Sequence, residues 1–295
     1  MVPITIGVPV YNGAKLLDDC LACLARQTFR DFKVVILDNA STDSTGDIAR
    51  AWVARDSRFT YERQTHNVGM MLNFRDVLLR AESPWFMWRA HDELTADNYL
   101  EALYRLATGT PGCKLALSTC VLCDLDGRRQ TVPLPAARAF VTLRGQLDML
   151  LNYPESWVFS LWDAETARKC SLPVFANYRY ANAGEHLILY GPISEGVARG
   201  TADTEIYKLV RRTGGVAAPK FRYSSAQMLD MRRAFIRQLR RIRSASDLSL
   251  PVRLAHWAFE PFYVRRRLPS LSKIARTRVR ELLGVWKASE PSPYL

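Results

Sequence analysis

The chain has 295 residues, 48% of them hydrophobic and 11% aromatic, with a formal net charge of +12. That supplies a core for one large α/β domain plus an appendage and excludes wholesale disorder. No run of about 18 apolar residues occurs, and the opening MVPITIGVPVYNG has no basic stretch before an apolar one. Neither a spanning helix nor a secretory signal is therefore expected, which makes the cytosol the default compartment.

The first half alternates short apolar runs with helical patterns. Residues 4–10 read as a strand and 14–27 as an amphipathic helix. A second strand at 33–38 (KVVILD) leads into a polar turn at 39–43. Ser44 and Asp47 have capping-box spacing, which predicts a helix from Ser44 toward Arg55. A third strand is expected at 58–63, a helix at 68–81, a fourth strand at 85–90 (WFMWRA), a helix at 95–108 and a strand at 115–123. Beyond a proline-rich loop, TVPLPAAR, a helix is expected near 143–151 and a strand at 157–162. From about Tyr223 the pattern is helical and basic, with MRRAFIRQLRRIR, VRLAHWAFEPFYVRRRL and KIARTRVRELLGVW in succession. No internal repeat is present.

Strands alternating with helices predict an α/β fold, a mostly parallel Rossmann-like sheet covered on both faces. Ligands bind beyond the carboxyl ends of such strands, which selects residues 9–12, 38–43 and 91–93 as one neighbourhood. The expected organisation is a domain over residues 1–222, split into halves at 1–110 and 111–222, followed by a basic helical region at 223–295.

Charge is unevenly distributed. Residues 206–295 hold 20 Lys and Arg against 5 Asp and Glu, whereas residues 1–205 hold 21 against 24. A strongly basic end on a mildly acidic body suits a polyanion, either an anionic membrane face or nucleic acid. Six cysteines are too few for a disulfide scaffold. Cys20 with Cys23 and Cys120 with Cys123 have CxxC spacing, which is compatible with a four-thiolate zinc site. The alternative, which the surroundings favour, is core packing: the first pair lies among Leu17, Leu21 and Leu24, and the second in the apolar run KLALSTCVLC.

Three segments in order, VPVYNGAKLLDDCLACLARQTFRDFKVVILDNASTDST, HNVGMMLNFRDVLL and WFMWRAHDELTADNYLEAL, resemble the inverting glycosyltransferases of family 2, with the GT-A fold. The resemblance is close over residues 3–108, weak over 155–212 and absent from the basic end. It implies a nucleotide-sugar donor, UDP-sugar first with dTDP- or GDP-sugar as alternatives, a Mn²⁺ or Mg²⁺ cofactor and an acceptor hydroxyl.

The roles it implies have physical reasons. Pro9, Tyr11 and Asn12 follow the first strand, where Tyr11 can stack on a base. Asp38 can accept hydrogen bonds from a base or ribose. Asn39 stands where similar proteins carry a second aspartate, which loosens the preference for uracil. Asn67, Gly69, Asn73 and Arg75 fall in an N-x-G-plus-helix segment near the donor, with Arg75 placed to offset phosphate charge. Asp92 takes the last position of an Asp-x-Asp metal motif, with Ala90 in place of the first acid and His91 and Glu93 as helpers. Hard divalent ions suit that carboxylate; an acidic cluster at a helix start is the structural alternative. The acceptor base is expected at a helix start in the second half, where NAGEHLILYG offers Glu185 with His186 beside it, and Glu195 and Glu205 as alternatives.

At the basic end, arginines alternate with Phe235, Ile236, Leu239 and Ile242, then with Trp257, Phe259, Phe262 and Tyr263. That mixture suits a helix in an anionic membrane interface, ahead of nucleic acid or an ordinary packed helix. The whole predicts a peripheral enzyme at the inner face of the cytoplasmic membrane, acting on a lipid-linked or growing surface glycan, as in polysaccharide or lipopolysaccharide assembly. A catalytically inactive scaffold with a nucleotide-sugar fold is the rival, motivated by Ala90 and Asn39.

Overall fold

A computed structural model describes residues 2–124, 127–180, 182–210, 222–286 and 288. Strand β1 (Ile4–Val10) lies at the centre of the first half, between β2 (Phe32–Asp38) and β4 (Trp85–Trp88), all parallel, with β3 (Phe59–Arg63) outside β2. Every residue of β1 is buried, as expected of a strand covered on both faces. Its side chains alternate. Ile4, Ile6, Val8 and Val10 face a core with Leu17, Leu21 and Leu24 of α1 (Leu17–Ala25), Ala49 and Trp52 of α2 (Thr45–Arg55), and Leu100 and Leu103 of α4 (Tyr99–Gly109). On the opposite face, Gly7 lets α3 (Met70–Leu79) approach closely: a Cβ there would stand 2.8 Å from a Val77 methyl.

The second half makes the sheet mixed. Its order is β3-β2-β1-β4-β8-β6-β9-β5, with β7 (Arg129–Val132) paired to β6 (Leu115–Asp124). Strand β8 (Leu161–Asp163) is antiparallel to both β4 and β6, and β9 (Ala198–Val210) is parallel to β6. Several local expectations change. Residues 155–159 form a 3₁₀ turn, so only the last part of the expected 157–162 strand is extended. Glu93–Thr95 forms strand β5 on β9, so the helix expected from residue 95 starts at Tyr99. Ser44 makes no side-chain cap; Asp43 instead accepts the Thr45 amide at 3.0 Å and orders the turn.

The helices α5 (Leu143–Asn152), α6 (Ala164–Asn177) and α7 (Gly184–Ser194) share one core with α8 (Ser225–Ala245) and α9 (Leu250–Arg267). The basic end therefore packs on the body, on both sides of the expected boundary at 222. Phe235, Leu239 and Tyr263 are fully buried, and Ile236 and Ile242 pack against them. This corrects the expectation that the apolar residues of α8 face a membrane: they are the ridge that seats α8 on the body. A capping box starts the helix, with Ser224 Oγ accepting the Gln227 amide and the Gln227 side chain accepting the Ser224 amide. Glu281 of α10 (Leu271–Leu282) accepts from the Ser225 amide and hydroxyl at the same terminus.

Helix α9 is tied to α7 by a buried tyrosine pair. The Tyr263 and Tyr153 hydroxyls donate to the His186 carbonyl at 2.8 and 3.2 Å, and Tyr153 also meets His186 Nδ1 at 3.0 Å. Burial, with Arg267 nearby, pushes the His186 imidazole down to about 3, so it is neutral. Tyr263→Phe removes one donor from a buried carbonyl that keeps another. The expected loss is about 1 kcal/mol, read as a lower melting temperature.

Candidate active site

The three loops selected by sequence meet at the carboxyl ends of β1, β2 and β4. The Asn39 amide donates to the Val10 carbonyl at 2.8 Å, and the Asn12 amide to Ser41 Oγ at 2.9 Å. Asn12 Oδ1 accepts the Thr42 amide, and Asp43 Oδ2 accepts the Ala14 amide. Gly13 lies against the His91 ring, where a Cβ would stand 2.9 Å from a ring carbon. Among the described residues the non-glycine positions with positive φ are Asn12 (49°), Ala40 (60°) and Ala183 (68°). Each lies within two residues of a cavity-lining side chain: Tyr11, Asn39 or Glu185. Backbone in this region is costly and collects at functional sites.

The loops open onto a cavity of about 310 Å³. Of the residues singled out from sequence, Pro9, Tyr11, Asn39, Asn73, His91, Asp92 and Glu185 line it. Asn12, Asp38, Asn67, Gly69, Arg75 and Glu93 do not. Asp38 is fully buried, and its oxygens accept from the Ser41 amide, the Tyr61 hydroxyl and Arg63. Arg75 is engaged with its neighbour Asp76 at 2.7 Å. Asn39 Nδ2 donates to Asn67 Oδ1 at 2.8 Å, while its Oδ1 accepts the Val68 amide. Asn67 Oδ1 also takes the Gly69 amide, so these two asparagines hold the loop that starts α3.

Gly69 enters that helix at φ 89°, ψ 157°, backbone that side chains rarely adopt. Gly69→Ala is expected to cost about 1–3 kcal/mol and to weaken any ligand that depends on the loop; a melting curve checks the first. One helical turn on, Asn73 donates to the Leu37 carbonyl, and its Oδ1 is buried with no partner among the described residues. An unsatisfied acceptor on a cavity wall is available to a ligand donor.

Glu185 lies in the first turn of α7, within the second half of the chain. Its side chain is partly buried beside Val158, Phe159, Phe175 and Ile188, which line the same cavity. Burial pushes the carboxyl up to about 7. The alternative bases are elsewhere. Glu195 pairs with Lys169 at the far end of α7, roughly 15 Å along the helix, and Glu205 is on β9 outside the cavity lining.

His91 is lowered by burial, opposed by Asp92 and Asp43. Glu93 is buried on β5, and desolvation pushes it up to about 8. Among the described residues no three His, Cys, Asp or Glu side chains form a group able to hold a metal. Asp92 and His91 are the donors at hand. The cysteines are free: Cys20 and Cys23 are buried on α1, and Cys120 meets Ser156 Oγ at 3.1 Å.

The apolar wall was not anticipated from sequence. Met70, Met71 and Phe74 of α3, together with Trp88, Val158, Phe159, Phe175 and Ile188, complete the cavity. The one sequence signal was the spacing of Met70, Met71 and Phe74 on a single helix face.

A parallel first half joined to a mixed second half, with a cavity across the strand ends, defines a GT-A-like α/β fold. Residues 5–133 match the model of glycosyl transferase family 2. Glycosyltransferase GlyG of Streptococcus pneumoniae serotype 4 is 26% identical over 102 residues, 35% of this chain and 34% of that protein. Validoxylamine A glucosyltransferase of Streptomyces hygroscopicus subsp. jinggangensis is 32% identical over 120 residues, 40% of this chain and 28% of that protein. The aligned part is thus about a third of these relatives. In three dimensions the chain is similar to S. aureus TarS 1-349, with a TM-score of 0.65 at 16% identity over 89% of this chain and 71% of that one. It also resembles the mannosyltransferase PcManGT from Pyrobaculum calidifontis, solved with GDP-Man and Mn²⁺, with a TM-score of 0.55 at 15% identity over 97% and 81%. Among the described residues no helix is long and apolar enough to cross a membrane.

Proposed function

We propose that this protein is an inverting glycosyltransferase that moves a sugar from a nucleoside diphosphate to an acceptor hydroxyl. The observation that carries the reading is the convergence of Asp92 and Glu185, from opposite halves of the chain, on one cavity beside Tyr11, Asn39 and Asn73. Glu185 takes the proton from the acceptor hydroxyl, whose oxygen attacks the anomeric carbon from the face opposite the donor diphosphate. The bond to the diphosphate breaks with its electron pair leaving on oxygen, and the configuration at that carbon inverts. Asp92, with His91 beside it, would hold Mn²⁺ or Mg²⁺, which supplies charge neutralisation for the departing diphosphate. Tyr11 and Asn39 orient the nucleotide, and the free Asn73 Oδ1 accepts from the donor.

A UDP-sugar is the first donor to test, with dTDP- and GDP-sugars next; solved relatives of this fold carry UDP, UDP-GlcNAc and GDP-Man. The assigned acceptor is a lipid-linked or growing cell-surface glycan at the cytoplasmic face of a membrane. Calorimetry with nucleotides and their sugars, followed by NMR of the product's anomeric proton, tests the reading. Metal-responsive binding of one nucleotide class and an inverted product would support it. Nucleotide binding without turnover of any donor would favour an inactive scaffold, the reading that Ala90 at the cavity motivates.

A further inference from the structure

Folding divides the apolar residues of the basic end into two sets. Those of α8 are buried. On α9, Leu250, Leu254 and Trp257 follow one another at spacings of four and three and stay between 57 and 69% exposed. Pro261 continues the line, and Phe262 stands beside it at 68% exposure. On a helix this spacing makes a single stripe. Another side carries His256 and Tyr263 into the core, so the helix is already seated, and the stripe is exposed from Leu250 to Pro261 and becomes buried at Val264.

The charge around the stripe has one sign. Arg253, Arg265 and Arg266 are exposed on α9. The single carboxylate of that helix, Glu260, is buried under Arg240 and Arg243 at 2.7 and 3.1 Å. Helix α10 repeats the pattern, with Leu271, Val279 and Leu282 exposed among Lys273, Arg276, Arg278 and Arg280, and its one acid, Glu281, engaged at the start of α8. Exposed leucine and tryptophan flanked by arginine match a bilayer interface, where indole and leucine enter the acyl boundary and guanidinium meets lipid phosphate.

We propose that the exposed Leu250–Leu254–Trp257 stripe of α9, with Phe262 exposed beside its end, is the surface by which this protein binds an anionic phospholipid bilayer. The assignment does not depend on the transferase reading. Positive charge draws the protein to the surface, and the apolar stripe holds it there. Because Tyr263, on the inner side of the same helix, donates to the His186 carbonyl next to Glu185, the docked helix is the one that braces the start of α7.

Sedimentation of the full chain with phosphatidylcholine vesicles, with and without phosphatidylglycerol, tests this without donor or activity. The parent is expected to pellet with the anionic vesicles and not with the neutral ones. Leu254→Ser with Trp257→Ser should weaken that binding about tenfold or more, with circular dichroism and melting temperature unchanged because both side chains are exposed. Arg253→Glu with Arg265→Glu and Arg266→Glu should abolish it at low salt. The proposal is overturned if the parent stays in the supernatant with both vesicles, or if the Ser variant pellets like the parent. Self-association of the parent through these residues, in place of vesicle binding, would also overturn it.

Discussion

Glu185→Gln is expected to lower kcat by about 10²–10⁴-fold while donor binding, measured by calorimetry, stays within a few-fold of the parent. Gln keeps the size and hydrogen-bonding reach of the side chain but cannot take up the acceptor proton. The pH profile adds a second signature. With the carboxyl pushed up to about 7, the parent's rate should rise with pH below that value, as the ionised base accumulates, and level off above it. The variant's residual rate should lack that rise. Stability should move the other way. The folded-state value lies above the ordinary carboxylate value of 4.5, so the native protein holds a proton that the unfolded chain has released. That preference destabilises the fold as pH climbs from about 4.5 through 7, by on the order of 1–3 kcal/mol. Gln carries no charge to desolvate, so the variant should melt higher than the parent at pH 8. A variant that keeps near-parental turnover would remove Glu185 as the base and return the search to other cavity residues.

Asp92→Ala is expected to remove the response of donor binding to Mn²⁺ and to lower kcat by about 10²–10³-fold, the usual cost of losing one electrostatic partner of a developing charge. A bound ion would have few protein donors here, since residue 90 is an alanine and Glu93 is buried on β5 away from the cavity. Losing the Asp92 carboxylate would therefore leave His91 as the protein donor to such an ion. Calorimetry of the nucleoside diphosphate with Mn²⁺ and with chelator reads this directly. Binding that still responds to Mn²⁺ in the variant would place the ion elsewhere.

Much of the first half was legible in the sequence. Strands β1 and β2 announce themselves as apolar runs bounded by polar turns, and α1 and α3 by apolar spacing at three and four residues. Their short connections bring residues 9–12, 38–43 and 91–93 together by topology alone. The base candidate was legible only through resemblance, because one glutamate at a helix start has no local mark that separates it from Glu195 at the other end of α7. The acidic cluster misled in part: His91, Asp92 and Glu93 are adjacent in sequence, yet the pairing of Glu93 with Lys208 across β5 and β9 turns its side chain into the interior.

The sequence by itself determined the period of each element, the order of the parallel strands' loops and the concentration of positive charge at one end. These depend on neighbours within a few turns of chain. The tertiary structure decided which apolar residues are covered and which carboxylates share a cavity. Phe235 and Trp257 look alike in a basic helical pattern, but one is buried against α7 and the other is exposed to solvent. Residues 157–162 read as one strand, but only the last part is extended, paired with β4 and β6. Burial and proximity are relations between segments tens of residues apart in the chain, so local chemistry proposes the candidates and packing chooses among them.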